Sequence, residues 1–292
     1  MKTLIFGRNG QVAWELQRSL AVHGEVRAVG SEEVSFLSLD SISKVIREYK
    51  PNHIVNAAAY TAVDRAENEK DIADKVNGEA VGVIAAEAKR IGASFMHYST
   101  DYVFDGTKSE PYVESDQVCP INAYGRSKVL GEKLIQEVGS DFTILRIGWV
   151  YGARGNNFYR TMLRLGAEKS ELAIVADQIG SPTWSRHVAD ASAHILFDRQ
   201  RKDKAGIYHL SPQGEVSWFD FACKIFELTR TLHPSRSLKI QTIKKIETED
   251  YITPALRPLN SRMNANKVNS TFGIQLPHWE KSLRLVTADV PL

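Results

Sequence analysis

The sequence predicts an α/β fold: a Rossmann-type, doubly wound parallel sheet joined to a smaller, interleaved C-terminal substrate domain. Three observations carry this. Short apolar runs alternate with amphipathic segments through the first half, as in a parallel sheet covered by helices. A glycine turn, Gly7-Arg8-Asn9-Gly10, follows the first apolar run and opens the first amphipathic segment. After Gly152 the alternation loses its regularity. The expected division is a dinucleotide-binding domain over residues 1–150, completed by about 203–235, and a mainly substrate-binding domain over 151–292.

Each element has its own signal. Residues 2–6 are a buried strand that ends at the glycine turn, and 11–23 are the helix that the turn starts. Residues 25–29 form the next strand. The helix over 41–49 is stopped by Pro51, which lacks the N–H that a continuing helix needs. Residues 53–58 are a third strand, 69–91 a long helix, and 94–99 a fourth strand. A helix over 123–138 and a fifth strand over 142–150 close the regular half. Beyond it come a helix over 157–167, a strand over 172–175, a helix over 185–197, a strand over 206–210 and a helix over 218–229. The strand-like KIQTIKKI (239–246), the polar loop RPLNSR (257–262) and a last helix from His278 complete the chain.

Composition excludes several classes. Of 292 residues, 43% are hydrophobic and 25% charged, ordinary for a soluble globular protein with a sizeable core. The net charge of +2 comes from 37 basic and 35 acidic residues, well interspersed. Nucleic-acid and membrane-surface binding therefore have no electrostatic support. Two cysteines, Cys119 and Cys223, are too few and too far apart for a disulfide framework or thiolate metal site, and suit a reducing cytoplasm. The N-terminal apolar run is too short for a signal peptide and no stretch reaches membrane-spanning length, so a cytoplasmic protein is expected.

The chemistry lies in Tyr124-Gly-Arg-Ser-Lys128. On a helix, this spacing puts a phenol and an ammonium on one face. A lysine beside a tyrosine favours the phenolate and brings the hydroxyl into range for proton transfer. With a nucleotide-binding turn, the pair points to hydride transfer at a carbonyl. Glycines in that turn let backbone approach a pyrophosphate at the helix N-terminus, and Ala13 is small enough for helix–strand packing. The second strand ends Val29-Gly30-Ser31 with no acid at its tip, while Glu32-Glu33 come late and Arg8 and Arg27 lie near. NADP is thus favoured, with NADH as the second choice.

Asn56-Ala57-Ala58-Ala59-Tyr60-Thr61 ends the third strand with small residues that leave room for a ribose and nicotinamide, and Val63-Asp64-Arg65 follow as a loop. Ser99-Thr100-Asp101 ends the fourth strand, where open α/β sheets bind ligands, and the Thr100 hydroxyl can orient a carbonyl towards Tyr124. Other candidates are weaker. His187, Asp190 and His194 read as ordinary helix residues, and Trp218, Phe219, Phe221 and Phe226 as core.

The strings FGRNGQVAWELQ, IVNAAAYTAVDRAE, HYSTDYVFDG, YGRSKVLGE, WVYG, GNNF, DQIGSPT and RPLNSR, spread over nearly the whole chain, resemble the extended short-chain dehydrogenases/reductases. Within them the chain is similar to the reductases of dTDP-4-keto-6-deoxyhexoses. The resemblance implies reduction of dTDP-4-dehydro-L-rhamnose to dTDP-L-rhamnose by NADPH, or NADH, in a homodimer. It implies that Tyr124 is the proton donor, that Lys128 holds the nicotinamide ribose and lowers the tyrosine, and that Thr100 orients the keto oxygen. It places Gly7, Asn9, Gly10, Gln11, Val12, Ala57, Ala58, Ala59 and Tyr60 around the cofactor. Around the substrate it places Val63, Ser99, Thr100, Tyr102, Phe104, Trp149, Asn157 and Arg257. Where the family reads R-T-S-W, this chain has Arg146-Ile147-Gly148-Trp149, which alters the sugar pocket. Ser35-Phe36-Leu37-Ser38 replaces an acidic adenine-contacting signature. Some members form dimers bridged by Mg2+ through glutamates. Glu15 fits one such position, but the helix at Arg186 is basic and the terminal ADVPL lacks a glutamate, so no metal is assigned. The family also includes a non-catalytic NADP-binding subunit of methionine adenosyltransferase; the intact Thr100, Tyr124 and Lys128 argue against that role.

Overall fold

The computed structural model describes residues 1–139, 141–198 and 201–289. Five strands alternate with helices in its first half: β1 (Lys2–Phe6), α1 (Gln11–Ser19), β2 (Glu25–Val29), α2 (Leu39–Tyr49), β3 (His53–Asn56), α3 (Val63–Ala66), α4 (Lys70–Asp74), α5 (Ala80–Ile91), β4 (Ser94–Thr100), α6 (Ala123–Val138) and β5 (Phe142–Ile147). After α7 (Phe158–Glu168), the chain returns to this unit with α8 (Ser185–Leu196) and β6 (Gly206–His209), then adds α9 (Trp218–Leu232), α10 (Asn266–Phe272) and α11 (Trp279–Asp289). The six strands pair in the order β6-β5-β4-β3-β1-β2, all in parallel. This is the doubly wound sheet, and its order reverses between β1 and β3.

Alternate residues of each strand face opposite layers. Ile5, Val55 and Met96 pack with Leu16 of α1 and Val188 and Ile195 of α8 on one side. Leu4, Ile54 and Phe95 pack with Ile42 of α2 and Ile84 of α5 on the other. A third core joins Tyr159 of α7, Phe221 and Phe226 of α9, and Trp279 of α11. Glu171–Val175 pairs in parallel with Thr242–Ile246 beside it.

Several elements are shorter than the sequence predicts, each for a reason visible in the structure. The expected helix over 69–91 is interrupted by a π-helical turn, Lys75–Glu79. That turn seats the buried Asn77, whose Oδ1 accepts the Tyr60 N–H at 2.8 Å and whose Nδ2 donates to Ser127 Oγ at 2.9 Å. β3 stops at Asn56 rather than Ala58, because the Asn56 side chain takes the Ala58 N–H (3.1 Å) in place of a sheet neighbour. β5 stops at Ile147, since Trp149 at φ +49° turns the chain away.

Candidate active site

A trough runs along the carboxyl ends of the strands, at the β1/β3 reversal where open α/β sheets bind ligands. It consists of two cavities that share Asn9, Gly10, Ala57 and Ala59. One, of about 440 Å³, lies between the glycine turn, Gly30, Val34, Phe36 and Leu37. The other, of about 820 Å³, reaches from Gln11 and Val12 past Thr100, Tyr124 and Lys128 to Trp149 and Trp218.

The glycine turn is shaped by close approach. Gly7 has φ +94°, and a Cβ there would lie 2.7 Å from the Ala58 nitrogen, so only glycine fits. Gly10 precedes α1 without a side-chain cap, which leaves the first N–H groups of the helix for an anionic ligand. These features fit a dinucleotide pyrophosphate. Ala57, Ala58, Ala59 and Tyr60 line the first cavity. The acid absent from the β2 tip in sequence returns in space: the Glu32 carboxylate folds over Gly30, and Arg8 pairs with Glu32 and with Glu33 (2.5 Å). Arg27 lies 3.8 Å from Glu33. Both arginines expected to meet an extra phosphate thus already face carboxylates.

α6 is delivered to the trough by its cap and by a glycine. Asn122 Oδ1 accepts the Gly125 N–H at 2.8 Å, and a Cβ on Gly125 would lie 2.2 Å from the Tyr102 carbonyl oxygen. Tyr124 therefore sits beside Thr100, its ring edge-on to Tyr102 at 6.0 Å. Burial pushes the Tyr124 phenol up to about 12, partly offset by a hydrogen bond with Thr100, while Asp101 raises it further. Lys128 is fully enclosed and burial lowers it to about 8, against the raising field of Glu132. Its Nζ hydrogen-bonds His97 Nε2 (3.1 Å) and the Tyr98 carbonyl oxygen (2.6 Å). Lys128 Nζ is thus turned onto β4. The phenol is held protonated. Thr100 Oγ1 donates to Asp101 Oδ1 at 2.9 Å; burial raises that carboxyl to about 6, against the lowering by hydrogen bonds from Thr100 and Ser261.

The remaining expected residues divide. Val63, Ser99, Tyr102 and Trp149 line the second cavity. Phe104 lies behind it, stacked on Tyr112 at 4.1 Å beneath the Arg146 guanidinium. Asn157 caps α7 and spends its amide on Gln11 Oε1 (3.2 Å) and the Gly152 carbonyl (3.0 Å), while its neighbour Asn156 is in the wall. Arg257 is held by Asp64 at 2.8 Å. Trp218, expected as core, instead stacks on Trp149 with ring centroids 3.4 Å apart and lines the cavity; Gly180 leaves room for the Trp149 ring. Phe221 and Phe226 are core. Asn56, His97 and Asp101 are the polar groups that sequence reasoning did not assign. They lie one or two residues from assigned ones, and only the sheet register shows which of them face the lysine.

Glu15, weighed above as a possible magnesium ligand, is a buried side chain of α1. Its carboxylate faces Arg186 (3.4 Å), which also holds Asp289 at 3.1 Å, so a guanidinium stands between the two acids. Among the described residues no group of three or more His, Cys, Asp or Glu could hold a metal. The end of ADVPL lies outside the described residues. No described helix is long and apolar enough to cross a membrane.

The family model for the RmlD substrate binding domain matches residues 1–291. The chain is 48% identical over 295 residues to the dTDP-4-dehydrorhamnose reductase of Burkholderia thailandensis, covering 99% of both. Two crystal structures are similar at 98% coverage of both chains. One is a dTDP-4-dehydrorhamnose reductase from Clostridium acetobutylicum (36% identity, TM-score 0.91). The other is that of Bacillus anthracis in complex with NADP (34%, TM-score 0.88).

Proposed function

The chain belongs to the RmlD substrate-binding-domain family of dTDP-4-dehydrorhamnose reductases, and from this we propose that it reduces the 4-keto group of dTDP-4-dehydro-L-rhamnose to dTDP-L-rhamnose. The observation that carries the reading is one trough in which a glycine cradle leads directly to Thr100, Tyr124 and Lys128.

NADPH, with NADH as the second donor, would supply the hydride when bound; Gly7, Asn9, Gly10, Gln11 and Val12 would hold its pyrophosphate and Ala57 to Tyr60 would line the cleft that takes it. Tyr124 gives its proton to the keto oxygen as that oxygen gains charge. A phenol raised to about 12 suits this direction, because it arrives protonated. Thr100 orients the oxygen, and Lys128 holds the ribose and resupplies the proton. Trp149, backed by Trp218, forms an apolar wall for the sugar. The cofactor preference rests on balance: the glutamates around Arg8 and Arg27 oppose an extra phosphate, whereas the Bacillus anthracis relative binds NADP. A homodimer is the assembly the resemblance implies.

One observation favours a second reading. Gly148 stands where the family reads serine, and a Cβ there would lie 2.9 Å from Asp101 Oδ2, so here the buried carboxylate packs against bare backbone, a departure in the pocket that suits a sister dTDP-4-keto-6-deoxy sugar.

The test is loss of reduced-nicotinamide absorbance with enzymatically generated dTDP-4-dehydro-L-rhamnose, and identification of the product by NMR. Formation of dTDP-L-rhamnose is expected, with Tyr124→Phe slower by roughly 10²-fold or more. A different epimer would move the assignment to the sister sugar, and turnover unaffected by Tyr124→Phe would remove the tyrosine from its role.

A further inference from the structure

The glycine turn and the wall of the second cavity are joined by two side-chain amides. Gln11, the first residue of α1, donates from Nε2 to the Val150 carbonyl oxygen at 3.1 Å, and its Oε1 accepts from Asn157 Nδ2 at 3.2 Å. Backbone groups fix both orientations. The Val150 carbonyl can only accept, so Nε2 of Gln11 faces it and Oε1 is left for Asn157. Asn157 Oδ1 caps α7 by accepting the Arg160 N–H at 3.0 Å, so its Nδ2 faces Gln11. The same Nδ2 reaches the Gly152 and Arg154 carbonyl oxygens, both at 3.0 Å, and so closes the loop over residues 152–157. Turning either amide over would set N–H against N–H and leave a carbonyl unpaired. This loop supplies Gly155 and Asn156 to the cavity wall, and Val150 directly follows Trp149, which lines it too. A second contact joins the loop to the same face of α1. Trp14 lies three residues after Gln11, and the Arg154 guanidinium sits 3.7 Å from the centre of its ring.

We propose that Gln11 is a positioning residue for the substrate half of the site: its main chain serves the dinucleotide and its side chain carries the loop 152–157, so that a cofactor on the glycine turn stiffens the wall that meets the sugar nucleotide. The proposal rests on the second cavity being the sugar-nucleotide site and adds the residue that links it to the first. Internal bonding of α1 begins only with the Trp14 N–H, which meets the Gly10 carbonyl at 2.9 Å. The N–H groups of Gln11, Val12 and Ala13 are therefore the donors that a pyrophosphate takes up. A ligand held there fixes the Gln11 main chain, and with it the root of a side chain whose amide is committed at both ends. Freedom that the loop would lose on meeting the substrate is then already lost, which couples the two ligands favourably. Gln17, further along α1, shows the contrast: its amide bonds the Arg8 and Ala13 carbonyls and stays within the cofactor half.

The test is amide hydrogen exchange over residues 152–157, read by mass spectrometry with and without oxidised NADP, which binds without turning over. In the wild-type protein NADP is expected to slow exchange in the loop by about fivefold or more. Gln11→Met keeps the bulk of the side chain and removes both bonds. Its exchange without NADP is expected to rise roughly tenfold, and protection by NADP to fall below about twofold although NADP still binds. No protection in wild type, equal protection in the two proteins, unchanged exchange in the variant, or loss of NADP binding by it overturns the proposal. Asn157→Asp keeps the α7 cap but turns an oxygen towards Gln11. On that background Gln11→Met is expected to add less than it does in wild type, because the shared bond is already gone; full additivity overturns the proposal. In turnover, Gln11→Met is expected to raise KM for the keto sugar about tenfold and to lower kcat by less. A rise confined to the KM of NADPH assigns the side chain to the cofactor and overturns the proposal. Absence of turnover on the keto sugar would remove the reductase reading alone, because exchange in the loop is read without substrate.

Discussion

Glu132→Gln is the sharpest perturbation of the scaffold beneath the site. Glu132 receives Arg146 through two hydrogen bonds, Nε to Oε1 at 2.9 Å and Nη2 to Oε2 at 2.7 Å, and both side chains are 3% exposed. On its other sides, the guanidinium meets the Phe104 ring and His209 Nε2 at 3.4 Å. His209 supplies no counter-charge, since an imidazole is neutral or positive, and burial and Arg146 push this one down to about 3 and keep it neutral. Glutamine keeps one acceptor but turns an N–H towards the guanidinium, leaving a buried positive charge uncompensated. Removing one partner of such a pair costs about 3–5 kcal/mol. In a chain of this size that lowers the melting temperature by on the order of 10 °C. The assay is thermal and denaturant unfolding of wild type, Glu132→Gln and the double variant Glu132→Leu/Arg146→Met. The double variant removes both charges and should be the less damaged of the two. A Glu132→Gln protein melting within about 2 °C of wild type would refute the reasoning.

Asp101 carries a pH signature. Its folded value, about 6, lies above the unfolded one, so its contribution to stability is full below the unfolded value and is lost as pH rises to about 6. The difference amounts to about 3 kcal/mol, and Asp101→Asn should flatten that decline in denaturant midpoints; parallel slopes in the two proteins would rule it out. At the β2 tip, Glu32→Gln/Glu33→Gln frees Arg8 and Arg27 and should tighten NADPH by roughly 3–10-fold while changing NADH less. Fluorescence titration with both dinucleotides checks this, and equal changes for the two would show that the arginines do not read the extra phosphate.

Local patterns in the chain were enough for the parallel sheet, the glycine turn and the helical Tyr124/Lys128 pair, because each depends on residues within a few positions of one another. Apolar runs of strand length, a glycine before a helix and a four-residue spacing all act through the backbone's own periodicity. The π turn at Lys75–Glu79 escaped that logic, since it is held by Asn77 reaching Tyr60 and Ser127, 17 and 50 residues away. Folding of the Glu32 carboxylate over Gly30, and the capture of Arg8 and Arg27, depended on turn geometry that charge order along the chain does not show.

The sequence by itself determined which residues could do chemistry: a phenol, an amine and a hydroxyl near the ends of parallel strands. Tertiary structure alone decided their charge states and companions. Placing β4 between β3 and β5 sets His97 beside Asn56 and opposite Lys128, and sets Arg146 under Glu132. It brings Trp218 from α9 onto Trp149, 69 positions earlier, and gives Arg257 to Asp64 across 193. Burial and hydrogen-bond direction, which set proton positions, belong to that three-dimensional neighbourhood.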